Sequence, residues 1–351
     1  MDFEKYKTTF TEEAIKSGYS LDTIHHCLNY ASILVDNGVP IIYNSSHLSL
    51  LVGYKKQYLK KAALYSHHFY RDFSIIKRNG KKRAISEPLP SLMEIQHWIL
   101  KYILYPVPVS PFAKAYKPKT TLLENLKFHK NQPKLMTLDL VNFFPSITTD
   151  SIKKVFIEMG YSNALAHLLS QLCTRDNSLP QGAPTSPYLS NLIFREADRS
   201  IAKYCIANKI RYTRYADDLS FSGDFDAGAL LQFVKEVVEQ LGCKINTAKT
   251  KLMSPNMRQT VTGIVVNEKP QVVFHKRNAL RQAMYYIQKF GLDEHIAYKD
   301  IGQSNYLQHL LGKINFVLQI NPKDQEFIGY KAFLVGLKKK RTGNHLTSVL
   351  Q

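Results

Sequence analysis

The stretch Leu135-Met-Thr-Leu-Asp-Leu-Val141 constrains this chain more than any other, because a strongly apolar strand is interrupted by a carboxylate, Asp139. A run of this length and composition reads as a buried strand. An unpaired carboxylate inside it would cost several kcal/mol unless something compensates for the lost hydration, and a metal ion would do so. A second segment supplies acidic partners: Ile210 to Phe221 alternates as strand, tight turn, strand, and Tyr215-Ala-Asp217-Asp218 falls at its tip. Strand and hairpin together can gather Asp139, Asp217 and Asp218.

Three carboxylates suit magnesium, which takes oxygen ligands, keeps several waters and is usually held by one or two carboxylates plus substrate phosphates. Two such ions about 3.5–4 Å apart stabilise the attacking and leaving oxygens of an in-line phosphoryl displacement, the chemistry of nucleotide-chain extension. An ordinary polar turn is the plain alternative for Asp217-Asp218. Charge favours the nucleotide reading: 47 Lys and Arg against 28 Asp and Glu leave a net charge of +19, which calls for a polyanionic partner. No run approaches the apolar length of a membrane span, and the N-terminus carries Asp2, Glu4, Glu12 and Glu13 rather than a signal sequence. Nucleic acid, no membrane and a cytoplasmic location are expected. Cys27, Cys173, Cys205 and Cys243 lie too far apart for a metal-binding pair and read as reduced thiols.

The pattern divides the chain into a helical start to about residue 70, a hairpin over Phe73–Ile85 turning at Asn79-Gly80, mixed strands and helices, and a helical tail from His275. The hairpin carries Lys77, Arg78, Lys81, Lys82 and Arg83. A helix over Ile152–Met159 has apolar residues at i, i+3, i+4 and i+7, with Asp150 or Ser151 available as its cap. The tail has apolar stripes at Leu280, Ala283, Met284 and Ile287, and at Leu307, Leu310, Leu311 and Ile314. The expected class is α+β around an antiparallel sheet.

Three blocks occur in order: Leu138-Asp-Leu-Val-Asn-Phe-Phe-Pro-Ser-Ile147, Leu179-Pro-Gln-Gly-Ala-Pro-Thr-Ser-Pro187 and Arg214-Tyr-Ala-Asp-Asp-Leu219. In this order and spacing the chain resembles a bacterial reverse transcriptase over about residues 70 to 270. The resemblance implies a right-hand polymerase fold: N-terminal helices and fingers over 1–115, palm over 116–147, a fingers insertion over 148–185, palm again over 186–270 and a helical, RNA-binding thumb over 271–351. It implies two Mg2+ ions and dNTP substrates. Asp139 and Asp217 become the principal metal ligands, Asp218 the supporting carboxylate, and the Leu140 carbonyl a further ligand. Phe144 falls where the family places an aromatic gate against a ribonucleotide 2′-OH; a plain core Phe is the alternative. Gln181 matches the residue near nucleotide and template, Lys77 and Arg83 match cations that grip the triphosphate, and Lys249 matches a lysine acting on the pyrophosphate leaving group, with Lys244 and Lys251 close by.

Asn163-Ala-Leu-Ala-His167 and Val261-Thr262-Gly263 are similar to elements of the retron branch. That likeness implies a cognate retron non-coding RNA copied into RNA-linked single-stranded DNA (msDNA), priming from a guanosine 2′-OH, and antiphage defence with a separate effector protein. Asn163, His167, Val261, Thr262, Gly263, Lys276, Arg277 and Arg281 are then expected RNA contacts; a solvated helix face is the alternative for each cation. The stretch beyond residue 275 is expected to be too short for an RNase H unit beside a thumb, so a host RNase H is expected to remove the copied RNA. The competing readings are a group II intron-like, diversity-generating or abortive-infection reverse transcriptase, and a non-catalytic RNA-binding scaffold.

Overall fold

A computed structural model describes residues 2–76, 80–300, 302 and 305–348, with side chains described up to Lys339. Helices α1 (Phe3–Lys16), α2 (Leu21–Asp36), α3 (Ser45–Val52) and α4 (Lys56–Leu64) lead into the antiparallel hairpin β1 (Tyr70–Ile76) and β2 (Lys82–Pro88). Asp2, Ser20 and Asn44 cap the first three helices with side-chain oxygens. Then come α5 (Pro90–Ile99), α6 (Leu122–Phe128), β3 (Lys134–Val141), α7 (Thr149–Glu158), α8 (Asn163–Cys173), α9 (Ser186–Ile193) and α10 (Arg195–Ala207). Strands β4 (Arg211–Tyr215) and β5 (Asp218–Gly223), helix α11 (Ala227–Glu239) and short strands β6 (Lys244–Ile245) and β7 (Lys251–Met253) complete the central unit. The small antiparallel sheet β8 (Thr260–Val261), β9 (Ile264–Val265) and β10 (Gln271–Val272) precedes α12 (Phe274–Phe290), α13 (Leu292–Tyr298), α14 (Tyr306–Ile320) and α15 (Gln325–Ser348).

The fold is α+β. In the central sheet β5 lies between β4 and β3, and β3 also pairs with β6 and β7, every pairing being antiparallel. Strand alternation gives β3 two faces. Met136, Leu138 and Leu140 enter the main core with α2 to α11, while Leu135 joins a second core with Met253, Val261 and the C-terminal helices. Each such buried side chain contributes roughly 1.5–3 kcal/mol. Thr137 and Asp139 share Leu135's face, so Asp139 sits beside the sheet's open side rather than inside the core.

One local expectation needs correction. The cap of α7 is Thr148, whose hydroxyl accepts from the Ser151 amide at 3.3 Å; Asp150 and Ser151 already lie within the helix and are not in the extended conformation that a cap adopts. Phe143 and Phe144 lie beyond the strand, since β3 ends at Val141 and Asn142 follows at φ +47°; Phe143 is buried in the main core and Phe144 packs against it.

Candidate active site

The sheet register places Asp139 directly across from Asp218. Asp218 also pairs with Tyr215 across a two-residue turn made of Ala216 and Asp217, and the Leu140 amide donates to the Asp217 carbonyl at 3.1 Å. Ala216 has φ +60°, a left-handed conformation that costs a residue with a Cβ about 1–2 kcal/mol. Arg214 holds it there. This fully buried guanidinium donates to the Ala216 carbonyl and Asn191 Oδ1, both at 3.1 Å, and grips both oxygens of buried Asp198 at 2.8 and 2.7 Å.

Facing carboxylates repel. Burial raises the Asp218 carboxyl to about 6, with Asp217 and Asp139 adding to the shift. Asp217 is also raised, first by burial and then by Asp139. Lys249 answers part of this charge: its Nζ donates to both Asp139 oxygens at 2.8 and 2.9 Å, and that bond holds the ammonium above its ordinary value. Asn246 supports the pair through its amide, which donates to the Asp139 carbonyl at 2.7 Å, and through Nδ2, 3.3 Å from Oδ1.

Among the described residues no three His, Cys, Asp or Glu side chains already form a ligand cluster. The donors still fit magnesium, which needs only one or two carboxylates once phosphates and waters complete its shell. The Lys249 ammonium on Asp139 shows that this carboxylate already takes a cation. Lys249 is 61% exposed against 14% for Asp139, so the ammonium can withdraw into water.

Two cavities meet at this point, sharing Tyr116, Asp139, Asp217 and Lys249. One, of about 300 Å³, brings together Arg83, Leu140, Phe144 and Gln181, residues far apart in the chain. Lys77 lies outside the described residues. The Gln181 loop is docked on the hairpin: the Ser86 amide donates to the Gln181 carbonyl at 2.9 Å, and a Cβ on Gly182, at φ +136°, would stand 2.7 Å from the Ser86 carbonyl. Only glycine permits that approach. The other cavity, of about 430 Å³, is lined by Asp218, Lys251, Thr262 and Gly263.

The remaining expected contacts are scattered. Asn163 and His167 share an exposed face of α8, whereas Val261 is fully buried and offers RNA no side chain. Lys276 lines a separate cleft with His309 and Lys313 between α12 and α14. Arg277 is committed to Asp324 at 2.6 Å, and Arg281 grips both oxygens of Glu326 at 2.7 Å. Tyr116, Asn246 and Asp198 belong to the site without any motif marking them, and Arg214 opens the third block with no role assigned to it from sequence. Proximity in sequence to Lys249 could have indicated Asn246.

Residues 75–306 match the family described as "Reverse transcriptase (RNA-dependent DNA polymerase)". The chain is 31% identical to the Retron Ec83 reverse transcriptase of Escherichia coli, over 80% of this chain and 89% of that protein. This chain belongs to the retron reverse transcriptases. A second relative of this reverse transcriptase, the Retron Ec86 reverse transcriptase of Escherichia coli, is 29% identical over 88% of this chain and 94% of that protein. The Retron Mx65 reverse transcriptase of Myxococcus xanthus is 30% identical over 73% of this chain and 62% of its own length. The retron enzyme described here is thus an RNA-directed DNA polymerase, and among its described residues no helix is long and apolar enough to cross a membrane.

Proposed function

We propose that this reverse transcriptase copies a cognate structured retron RNA into RNA-linked single-stranded DNA, primed from a guanosine 2′-OH, at the junction of the two cavities. The observation that carries this reading is the convergence of Asp139, Asp217, Asp218 and Lys249 between a chamber lined by Arg83, Phe144 and Gln181 and one lined by Thr262 and Gly263. Asp139, Asp217 and Asp218, with the Leu140 carbonyl, would hold two Mg2+ ions. When bound, these supply charge neutralisation at the attacking and leaving oxygens.

The chain's own groups do the rest. Arg83, with Lys77, offsets triphosphate charge; Gln181 lies where nucleotide and template meet; Phe144, beside Tyr116, walls the chamber where a ribose 2′-OH would fall. Lys249 is placed to leave Asp139 and give a proton to pyrophosphate. The hairpin and its docked loop act as fingers, the five-stranded sheet as palm and α12–α15 as thumb, with the boundaries expected from sequence. A cytoplasmic setting, host RNase H and a separate effector in antiphage defence complete the proposal.

The test is expression of the gene with its flanking non-coding sequence. RNase-sensitive, RNA-linked single-stranded DNA is expected, and it should vanish in the Asp217→Ala, Asp218→Ala double variant. Persistence in that variant would overturn the catalytic assignment, and absence from the intact system would overturn the retron product.

A further inference from the structure

A further pocket, sharing no lining residue with the polymerising site, lies where α12 turns into α13 at Gly291. It has a volume of about 410 Å³ and is lined by Tyr286, Phe290, Glu294, His295 and Tyr298. Its rim is aromatic and wet: Tyr298 is 78% exposed, Phe290 53% and Tyr286 39%. Tyr286 stacks on Phe290 at one edge and on His295 at the other, with ring centroids 6.1 and 6.3 Å apart. Cations stand over the rim, Lys289 Nζ lying 5.1 Å from the Phe290 centroid and Lys299 Nζ 5.6 Å from that of Tyr298.

The floor is polar. His295 lines it and is 5% exposed; its Nε2 meets the Tyr306 hydroxyl at 3.1 Å, whereas its Nδ1 is closed off from solvent and has no partner among the described residues. Burial and Lys299 lower the imidazole's affinity for a proton, which keeps the ring neutral and able to present one donor and one acceptor. Glu294 adds a carboxylate to the same wall.

Flat aromatic walls, overhanging ammonium groups and a carboxylate are the complement of a single planar heterocycle flanked by phosphates. An apolar protein surface would leave Glu294 unanswered, and a duplex cannot insert a base. We propose that this pocket captures one unpaired nucleobase of a single strand, guanine foremost. Guanine alone among the four bases offers two adjacent N–H groups to one carboxylate, here that of Glu294. The inference deepens the reading of this chain as an enzyme with a cognate RNA: the pocket would fix a strand's register on the C-terminal helices while the carboxylates extend another end.

The test uses the full chain and fluorescence anisotropy, with neither nucleotide nor metal, so its outcome is independent of DNA synthesis. The probes are short oligouridylates bearing one central guanosine, adenosine or cytidine, their deoxy counterparts and a duplex of the same length. The guanosine strand should bind best, and Tyr298→Ala or Phe290→Ala should weaken it roughly tenfold, with duplex binding and thermal unfolding unchanged. Tyr298→Phe should restore affinity, and Glu294→Gln should erase the preference for guanosine over adenosine. A ribo preference assigns the captured base to RNA, a deoxy preference to product DNA. Wild-type affinity in the aromatic variants, equal losses for strand and duplex, or an unaltered base preference in Glu294→Gln would each overturn the proposal. So would a change in sedimentation of Phe290→Ala without a change in strand affinity, which would assign the rings to a protein contact.

Discussion

Lys249 Nζ spans both carboxylate oxygens of Asp139, at 2.8 and 2.9 Å, so the cation expected to act on the leaving group rests on the carboxylate expected to hold metal. Ammonium and metal then compete for one side chain. Replacing Lys249 with Met should tighten Mn2+ binding about fivefold, the scale of an exposed ion pair of up to about 1 kcal/mol, while single-turnover extension slows about 100-fold for want of the proton donor. Titration followed by the electron paramagnetic resonance of free Mn2+ reads the first effect. Unchanged affinity would show that the ammonium does not contest the site.

Asp218 ties stability to pH. Its carboxyl is raised to about 6, so the folded chain holds this proton more tightly than the unfolded chain does. The associated stability is fully present below the ordinary carboxylate value and is lost as pH rises through about 6. In EDTA the unfolding midpoint should therefore drop between pH 5 and 7 by an amount worth on the order of 1–2 kcal/mol after solvent screening. Asp218→Asn should flatten that slope, and Mg2+ should stabilise the wild type more at pH 7 than at pH 5.

The Arg214–Asp198 pair separates folding from positioning. Arg214→Met strands a buried carboxylate and should cost about 3–5 kcal/mol in urea unfolding. Arg214→Met with Asp198→Leu should regain most of that stability. Activity should stay low in the double variant, because the Ala216 carbonyl has lost its donor and the turn carrying Asp217 is released. Recovery of full activity together with stability would show that Arg214 serves the core alone.

Gly182 couples the hairpin to the Gln181 loop. An added Cβ would meet the Ser86 carbonyl at 2.7 Å and carry φ +136°, so Gly182→Ala should cost about 1–3 kcal/mol locally. Steady-state kinetics should show a higher KM for dNTP with a smaller change in kcat, since the hairpin is displaced while the carboxylates stay on their own strands.

What could be read in the sequence follows from periodicity. Asp139, Asp217 and Asp218 stand out because two-residue alternation and a tight turn announce strands, and the three blocks name the family's residues one by one. Arg214 resists such reading: an arginine in an alternating strand suggests solvent, and its burial depends on Asp198, a residue of α10 that itself resembles surface charge. The left-handed backbone at Tyr116 and Ala216 has no glycine to mark it. Arg277 and Arg281 looked like phosphate contacts because their partners, Asp324 and Glu326, arrive at the start of another helix more than forty residues later.

The pairing of β3 also dictates when the enzyme can exist. Residues 134–141 bond to 218–223 on one side and to 244–253 on the other, so the strand bearing Asp139 leaves the ribosome long before either neighbour. At about 5–20 residues per second, the nascent chain shows two unpaired edges of an apolar strand for many seconds. Such edges recruit other chains, which makes the interval between β3 and β7 the stage at which a chaperone matters most. It also keeps the unfinished chain catalytically silent, since Lys249, β7 and the chamber residues Thr262 and Gly263 are translated after all three carboxylates and the two chambers cannot close around their shared wall without them.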